Sequence, residues 1–307
     1  MGNRGTHIGT TRQIDSTPAQ YLSRSPERDQ GAIDFLSQKF PNPFFGLNSV
    51  YPKLITRADL LRPYPQFGSI TETQPIGYSS YHSLQVRAEK RFSHGYTLNL
   101  AYTWAKAMDA IRFLNPGDAL LEYAISENDR PHRLVISGLW ELPIGRGRAI
   151  ASGIPKALDY VIGGWQLNGV IAKQSGPPLS FGDVILRGSV KDIPLPSDQR
   201  SVDLWFNTSL FERDSKKQLD PNFQIRTFPH FLSGARGDGQ SKFDLSLIRH
   251  TKLTERVGLQ FRAECYNCMN HPNFDPPSTD PTNKAFGAVK GQGGLSREFQ
   301  FALKLTF

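Results

Sequence analysis

The stretch Arg297-Glu-Phe-Gln-Phe-Ala-Leu-Lys-Leu-Thr-Phe307 decides the fold. Phe299, Phe301, Leu303, Leu305 and Phe307 share one parity, and Glu298, Gln300, Ala302, Lys304 and Thr306 the other. Successive side chains of a strand point to opposite faces, so this period of two gives one wholly apolar face and one almost wholly polar face. A soluble sheet lays such a face on a core. A membrane-spanning sheet lays it on lipid, where about 9–11 residues suffice to cross. The stretch stops on an aromatic at its last residue, with no polar tail, which favours lipid.

Working outward, the same period recurs. Ser83–Phe92 sets Leu84, Val86, Ala88 and Phe92 against Gln85, Arg87, Glu89 and Arg91, with Lys90 breaking the apolar face near one end, where its long stem can snorkel. Ser93-His94-Gly95 is a hairpin signal. Tyr96–Ala105 then aligns Tyr96, Leu98, Leu100, Tyr102 and Trp104, with aromatics at both ends of the face. Further strands are predicted at His132–Leu142, Gly164–Gln174, Lys242–Arg249 and Arg256–Tyr266, which with the last stretch makes seven. Residues 1–80 are punctuated by Ser25-Pro26, Pro41-Asn42-Pro43, Arg62-Pro63-Tyr64-Pro65 and Gln74-Pro75, and read as a long loop with short pieces such as Ile33–Lys39.

Composition bounds this reading without deciding it. The chain of 307 residues has mean hydropathy −0.42 and no apolar run near the roughly 18 residues of a membrane helix, which excludes a helical membrane protein but not one that crosses with alternating strands. The formal net charge of +8 is spread along the chain and alternates with apolar residues, so it reads as solvated surface or lumen, and nucleic acid is not an expected partner. The opening Met1-Gly-Asn-Arg-Gly-Thr-His-Ile-Gly9 has no apolar h-region and is not a signal peptide, so the expectation is a part of a longer polypeptide.

Motifs with possible chemistry are few. Cys265-Tyr-Asn-Cys268 is a C-x-x-C, but residues three apart on a strand face opposite ways and no second pair completes a zinc site, so the cysteines are expected to be structural or incidental and no metal or cofactor is expected. Arg236-Gly237-Asp238 is read as an ordinary turn and not an adhesion tripeptide. Gly234–Gly239 and Gly291–Gly294 lack the strand-to-helix setting of a phosphate cradle. Asp129, His132 and Arg133 cluster at a strand mouth, where acid–base chemistry is conceivable; with no nucleophile in a motif such as G-x-S-x-G they are read as a polar lip that orders the rim, and no enzyme is expected.

The stretches Tyr81–Gly95, Ala101–Lys106, Asp129–Arg133, Leu142–Gly147, Gly163–Gly169, Leu259–Glu264 and Asn270–Phe274, in this order, resemble the C-terminal part of TonB-dependent receptors of the Oar-like type, and Gly2–His7 resembles the tail of the preceding strand there. The last strand is similar to the C-terminal insertion signal of bacterial outer-membrane barrels, carried here by Phe299, Phe301, Leu303, Leu305 and Phe307. The resemblance implies an all-β fold: a partial antiparallel transmembrane β-barrel, an open piece of a larger barrel of about 22 strands. In domain terms, residues 1–80 follow a lost strand as an external loop region and residues 81–307 form the C-terminal barrel segment, with no plug domain. It also implies ligand binding and import across the outer membrane, with outer-membrane lipid, the barrel-assembly machinery and the TonB system as partners, although the TonB-contacting segment is absent here. The ligand would fall to the loops 106–131, 175–241 and 267–296.

Connection lengths test the barrel reading internally. Outer-membrane barrels have short periplasmic turns and long external loops. With Phe307 in the periplasm, the turns 93–95 and 251–255 and the connection 143–163 fall on that side and every longer loop outside. Seven is odd, so the sheet is expected to stay open with two unpaired edges. The rival fold is a soluble β-sandwich binding module, which would cover the apolar faces with a second sheet.

Overall fold

The computed structural model describes residues 1–47 and 49–307. Eight long strands dominate: β1 (Gly2–Gln13), β2 (Thr71–Ser93), β3 (Tyr96–Ala110), β4 (His132–Glu141), β5 (Trp165–Gln174), β6 (Gln240–Lys252), β7 (Gly258–Tyr266) and β8 (Glu298–Thr306). Each pairs antiparallel with the next in sequence, so the sheet is a plain meander, with the two-residue strand Ala124–Ile125 added to β3. β1 and β8 are its edges and do not pair with each other. The fold is therefore all-β and open, as the alternation predicts.

The register explains the faces. Directly opposed residues of antiparallel strands share a face. One row runs Leu98, Gly138, Gly169, Leu245, Cys265, Phe299, and the next runs Tyr96, Trp140, Leu167, Leu247, Ala263, Phe301. In the next row toward the turns, Phe261 meets Trp165 at a ring distance of 5.9 Å, and it meets Phe301 of the second row at 6.5 Å. This apolar face lies bare: Phe299 and Phe301 are 64 and 69 % exposed, and among the described residues no second sheet or helix layer covers the rows. The sandwich reading fails on that observation. The opposite face carries paired polar groups, among them Gln260 with His250 at 3.1 Å, Ser246 to Glu264 at 3.4 Å and Gln166 to Glu141 at 3.4 Å.

Two differences from the sequence reading concern the first 82 residues. The region read as loop contains β1, and β2 starts at Thr71, 12 residues before Ser83. Neither segment alternates, because both faces are polar. Pro75 sits where the β1–β2 register shifts between Ile8 opposite Gly77 and Thr10 opposite Gln74, so the bulge absorbs the missing N–H. Among the described residues the long strands thus number eight.

The connections 14–70, 111–131, 175–239 and 267–297 leave one end of the sheet, and the two tight turns and the connection 142–164 leave the other. At the short end lie the His94-Gly95 turn, with positive φ at both residues, and the turn after Lys252. Between β4 and β5 stands a short helix, Lys156–Ile162. Arg249, only 8 % exposed, reaches its last turn: the guanidinium donates to Val161 O and to Asp159 O (3.1 Å) and lies over the Trp165 ring. A cation at a helix C-terminus favours the dipole and satisfies a carbonyl such as Val161 O that has no intrahelical donor, while Asp159 O also accepts the Gly163 N–H at 3.0 Å.

Candidate functional site

The four long loops fold into one cap at the far end. Its core is Leu179, Phe181, Val184, Ile193, Phe206, Phe211, Phe228, Leu232, Ala235 and Phe286, so the loop between β7 and β8 contributes a ring to a cluster otherwise built from the loop between β5 and β6. Phe181 stacks on Phe211 at 5.3 Å and meets Phe206 edge-on at 5.2 Å. No alternation marks this segment, because its apolar residues turn inward from coil.

Hydrogen bonds tie the other loops to this core. Ser23 forms a short parallel bridge with the Phe223–Ile225 backbone, donating N–H to Phe223 O and accepting from Ile225 N–H, both at 2.9 Å. The buried Gln224 donates to Ser25 O at 2.6 Å and Glu27 O at 2.8 Å. Asp29 caps α1 (Gln30–Ser37) by accepting from Ala32 N–H at 3.0 Å, and the Ser23 hydroxyl donates to its other oxygen at 2.7 Å. That hydroxyl first, and then the Ala32 N–H, hold the Asp29 carboxyl below the ordinary carboxylate range. Glu212 is likewise held low, chiefly by the Asp214 N–H and then by Arg187, which binds it at 2.8 Å.

Between these loops opens a polar cleft of about 530 Å³. Thr56, Asp59 and Arg62 come from the loop between β1 and β2, Asn115 and Asp118 from that between β3 and β4, and Asp183 and Arg226 from that between β5 and β6. Arg62 and Asp59 pair at 2.6 Å. Arg226 lies 3.4 Å from Asp183, whose buried Oδ1 has no hydrogen bond, and donates to Phe181 O at 2.7 Å and Phe228 O at 2.8 Å. Asn115 clamps the Arg226 backbone, accepting its N–H at 2.7 Å and donating to its carbonyl at 3.1 Å. The wall offers both donors and acceptors with nearly balanced charge, which suits a polar ligand rich in hydroxyl or amide groups.

The residues singled out in the sequence fall differently. Asp129 is 1 % exposed; it accepts the Ala107 N–H at 2.6 Å and pairs with Arg236 at 2.6 Å, tying the end of β3 to the cap. Burial first, and then the Arg236 charge, push the Arg130 guanidinium below its usual value. His132 instead meets the Tyr102 hydroxyl at 2.9 Å, and Arg133 follows it onto the other face. The three do not converge, and Asp129 and Arg236 order the rim. In Arg236-Gly-Asp238 the flanking charges are used internally, Asp238 accepting Phe274 N–H at 2.9 Å. Gly176 is needed because a Cβ there would stand 2.0 Å from Gly237 O. Cys265 and Cys268 form a disulfide, with Cα atoms 5.5 Å apart; the expected opposition fails because the strand ends at Tyr266 and Asn267 turns back at φ 47°. Of the three loops expected to hold ligand, the last contributes nothing to the cleft, and the loop between β1 and β2, not expected to, supplies a wall.

An open antiparallel meander, apolar toward its surroundings and polar behind, with turns at one end and a folded cap at the other, defines an outer-membrane barrel protein. A family model described as an outer membrane beta barrel domain matches residues 1–300, and the chain belongs to that family. No curated protein matches the chain. Among solved structures, the crystal structure of the outer membrane transporter YddB from Escherichia coli is similar at 12 % identity and TM-score 0.35, over 78 % of this chain and 26 % of that one. The chain thus spans about a quarter of that transporter's length. Family membership places the protein in the outer membrane, with its apolar rows on lipid.

Proposed function

We propose that the protein is the C-terminal part of the barrel of an Oar-like TonB-dependent receptor, capturing a polar ligand in the external cleft for energised passage across the outer membrane. The observation that carries this reading is the cleft itself: three loops from different hairpins converge on it and are held by mutual hydrogen bonds, where loops serving only as connections need no shared architecture. The motif series from Tyr81 to Phe274 supports the receptor type. In this reading the role is binding without catalysis. The terminal face of Phe299, Phe301, Leu303, Leu305 and Phe307 serves the barrel-assembly machinery, and the TonB system acts on parts of the receptor outside this chain.

Comparing spent media tests it. Wild-type cells, a strain lacking the gene and a strain lacking TonB are grown side by side. A compound depleted by the wild type and left by both mutants is expected, and Arg226→Ala with Asp59→Asn should leave it too. Equal depletion of every compound by wild type and gene deletion, or depletion independent of TonB, refutes import; retained import in the double variant refutes the cleft. Loss of uptake on replacing Asp129 and His132, with the variant protein folded and ligand still bound, would refute the non-catalytic role.

A further inference from the structure

The apolar face changes character at one rung. Ascending β2 and β3 from the turn, the opposed pairs run Lys90 with Leu98, Ala88 with Leu100, Val86 with Tyr102 and Leu84 with Trp104, and then His82 with Lys106. From Lys90 to His82 is eight residues, roughly 27 Å along a strand at ~3.4 Å per residue, or about 20 Å of depth at the usual barrel tilt. The His82–Lys106 rung therefore stands at the external boundary of the hydrocarbon. Next above it on the same face Arg4 lies opposite Ser80, its guanidinium 5.9 Å from the Tyr78 ring.

The two cations, Arg4 and Lys106, and the His82 ring between them are exposed, and among the described residues none of the three has a hydrogen-bond or ion-pair partner. Two adjoining hollows, of about 690 and 570 Å³, meet at His82. The lower is mainly apolar, with Leu84 and Trp104 in its wall; the upper is lined by Arg4, Tyr78, Ser80 and Tyr123. The one carboxylate that lines either of them, Asp129, is committed to Arg236 and the Ala107 N–H. The surface thus combines an apolar floor with uncompensated positive charge, at the depth where a lipid has its headgroup.

We propose that this surface docks one phosphorylated lipid of the outer leaflet, phosphate on Arg4, His82 and Lys106 and an acyl chain along Leu84 and Trp104. Charge complementarity selects the occupant: cations at this depth on the lipid face are costly unless an anion meets them. The site is separate from the cleft and rests on the outer-membrane placement, not on import.

The test uses the full chain purified from outer membranes in mild detergent and titrated in native mass spectrometry with bis-phosphorylated lipid A, its fully dephosphorylated form, and inorganic phosphate. The phosphorylated lipid should bind at least tenfold tighter than the dephosphorylated one. His82→Gln with Lys106→Gln should remove about tenfold of that affinity, and Lys90→Gln, at the opposite boundary of the same face, should remove none. Millimolar phosphate should not displace the lipid. Equal affinity for both lipids, equal effects of the two variants, or displacement by phosphate alone overturns the proposal. A second readout uses no charge variant: phosphorylated lipid with brominated chains should quench the native protein more strongly than Trp104→Phe, and equal fractional quenching overturns it as well.

Discussion

Asp129 and Arg236 show what a sequence cannot price. Each is an ordinary surface residue by type, yet together they form a pair with its carboxylate 1 % exposed and a backbone N–H as third partner. Removing one member leaves the other buried and unpaired, which typically costs about 3–5 kcal/mol. Asp129→Ala is therefore expected to lower the free energy of cap opening, followed by limited proteolysis in urea, by about 3–5 kcal/mol, and adding Arg236→Met should recover part of that loss; no recovery would mean that Asp129 acts through the Ala107 N–H alone. Asp29 and Glu212 give the pH dependence. Both carboxyls are held below their unfolded values, so their contribution is complete above the ordinary carboxylate range and is lost as pH falls through the depressed folded values. Protection of residues 14–70 from protease should be equal at pH 7 and pH 5.5 and decline below about pH 4. A decline already at pH 6 would mean that these two carboxyls do not set the pH dependence.

Among the elements, β4 and β5 carry Gly138 opposite Gly169, and the missing side chains leave a groove of about 490 Å³ in the apolar face, walled by Leu98, Trp140, Leu167 and Leu245. The two glycines are not equivalent. A Cβ at Gly138 would lie 2.9 Å from Thr97 O, which is backbone, whereas one at Gly169 meets only the Leu245 Cδ2 at 3.3 Å, the end of a flexible side chain. Gly138→Ala should destabilise the sheet by about 1–2 kcal/mol in reversible unfolding from lipid vesicles. Gly169→Ala should be neutral or gain about 0.5 kcal/mol by restricting the unfolded chain. The reverse order would show that the groove, and not the backbone approach, sets the cost. The strands found from sequence, Tyr96–Ala105 and Arg297–Phe307 above all, are those with lipid on one face and polar groups on the other. The alternation missed β1, whose Gly2–His7 part only the family resemblance marked as a strand tail, and the first half of β2, because both extend past the lipid, where both faces are polar and no alternation is imposed.

At the scale of the molecule, the open sheet makes a direct demand. β8 and the lower half of β2, below the last β1 pair at Gly2 opposite His82, each present a row of unpaired N–H and C=O groups that lipid cannot satisfy, and β1 presents a further open edge above them. In the isolated chain, amide exchange should be slow in β3 to β7 and fast at the outward-facing amides of β1 and β8; when both edges are paired, as in a closed barrel, those amides should slow by orders of magnitude. Fast exchange in β4 or β5 would mean that the meander is not the stable unit. The cap adds a second cooperative layer, since its phenylalanine cluster does not depend on the lipid-facing rows.

The sequence by itself determined the lipid-facing architecture of this protein: the period of two, the aromatic end and the alternation of short and long connections are local signals, imposed residue by residue by a medium that accepts only apolar side chains on one face. Tertiary structure alone decided the cap and the cleft. There the deciding contacts join residues about a hundred or more positions apart, Asn115 to Arg226 and Ser23 to Gln224 among them, and a contact between distant coil segments leaves no period in the chain from which to foresee it.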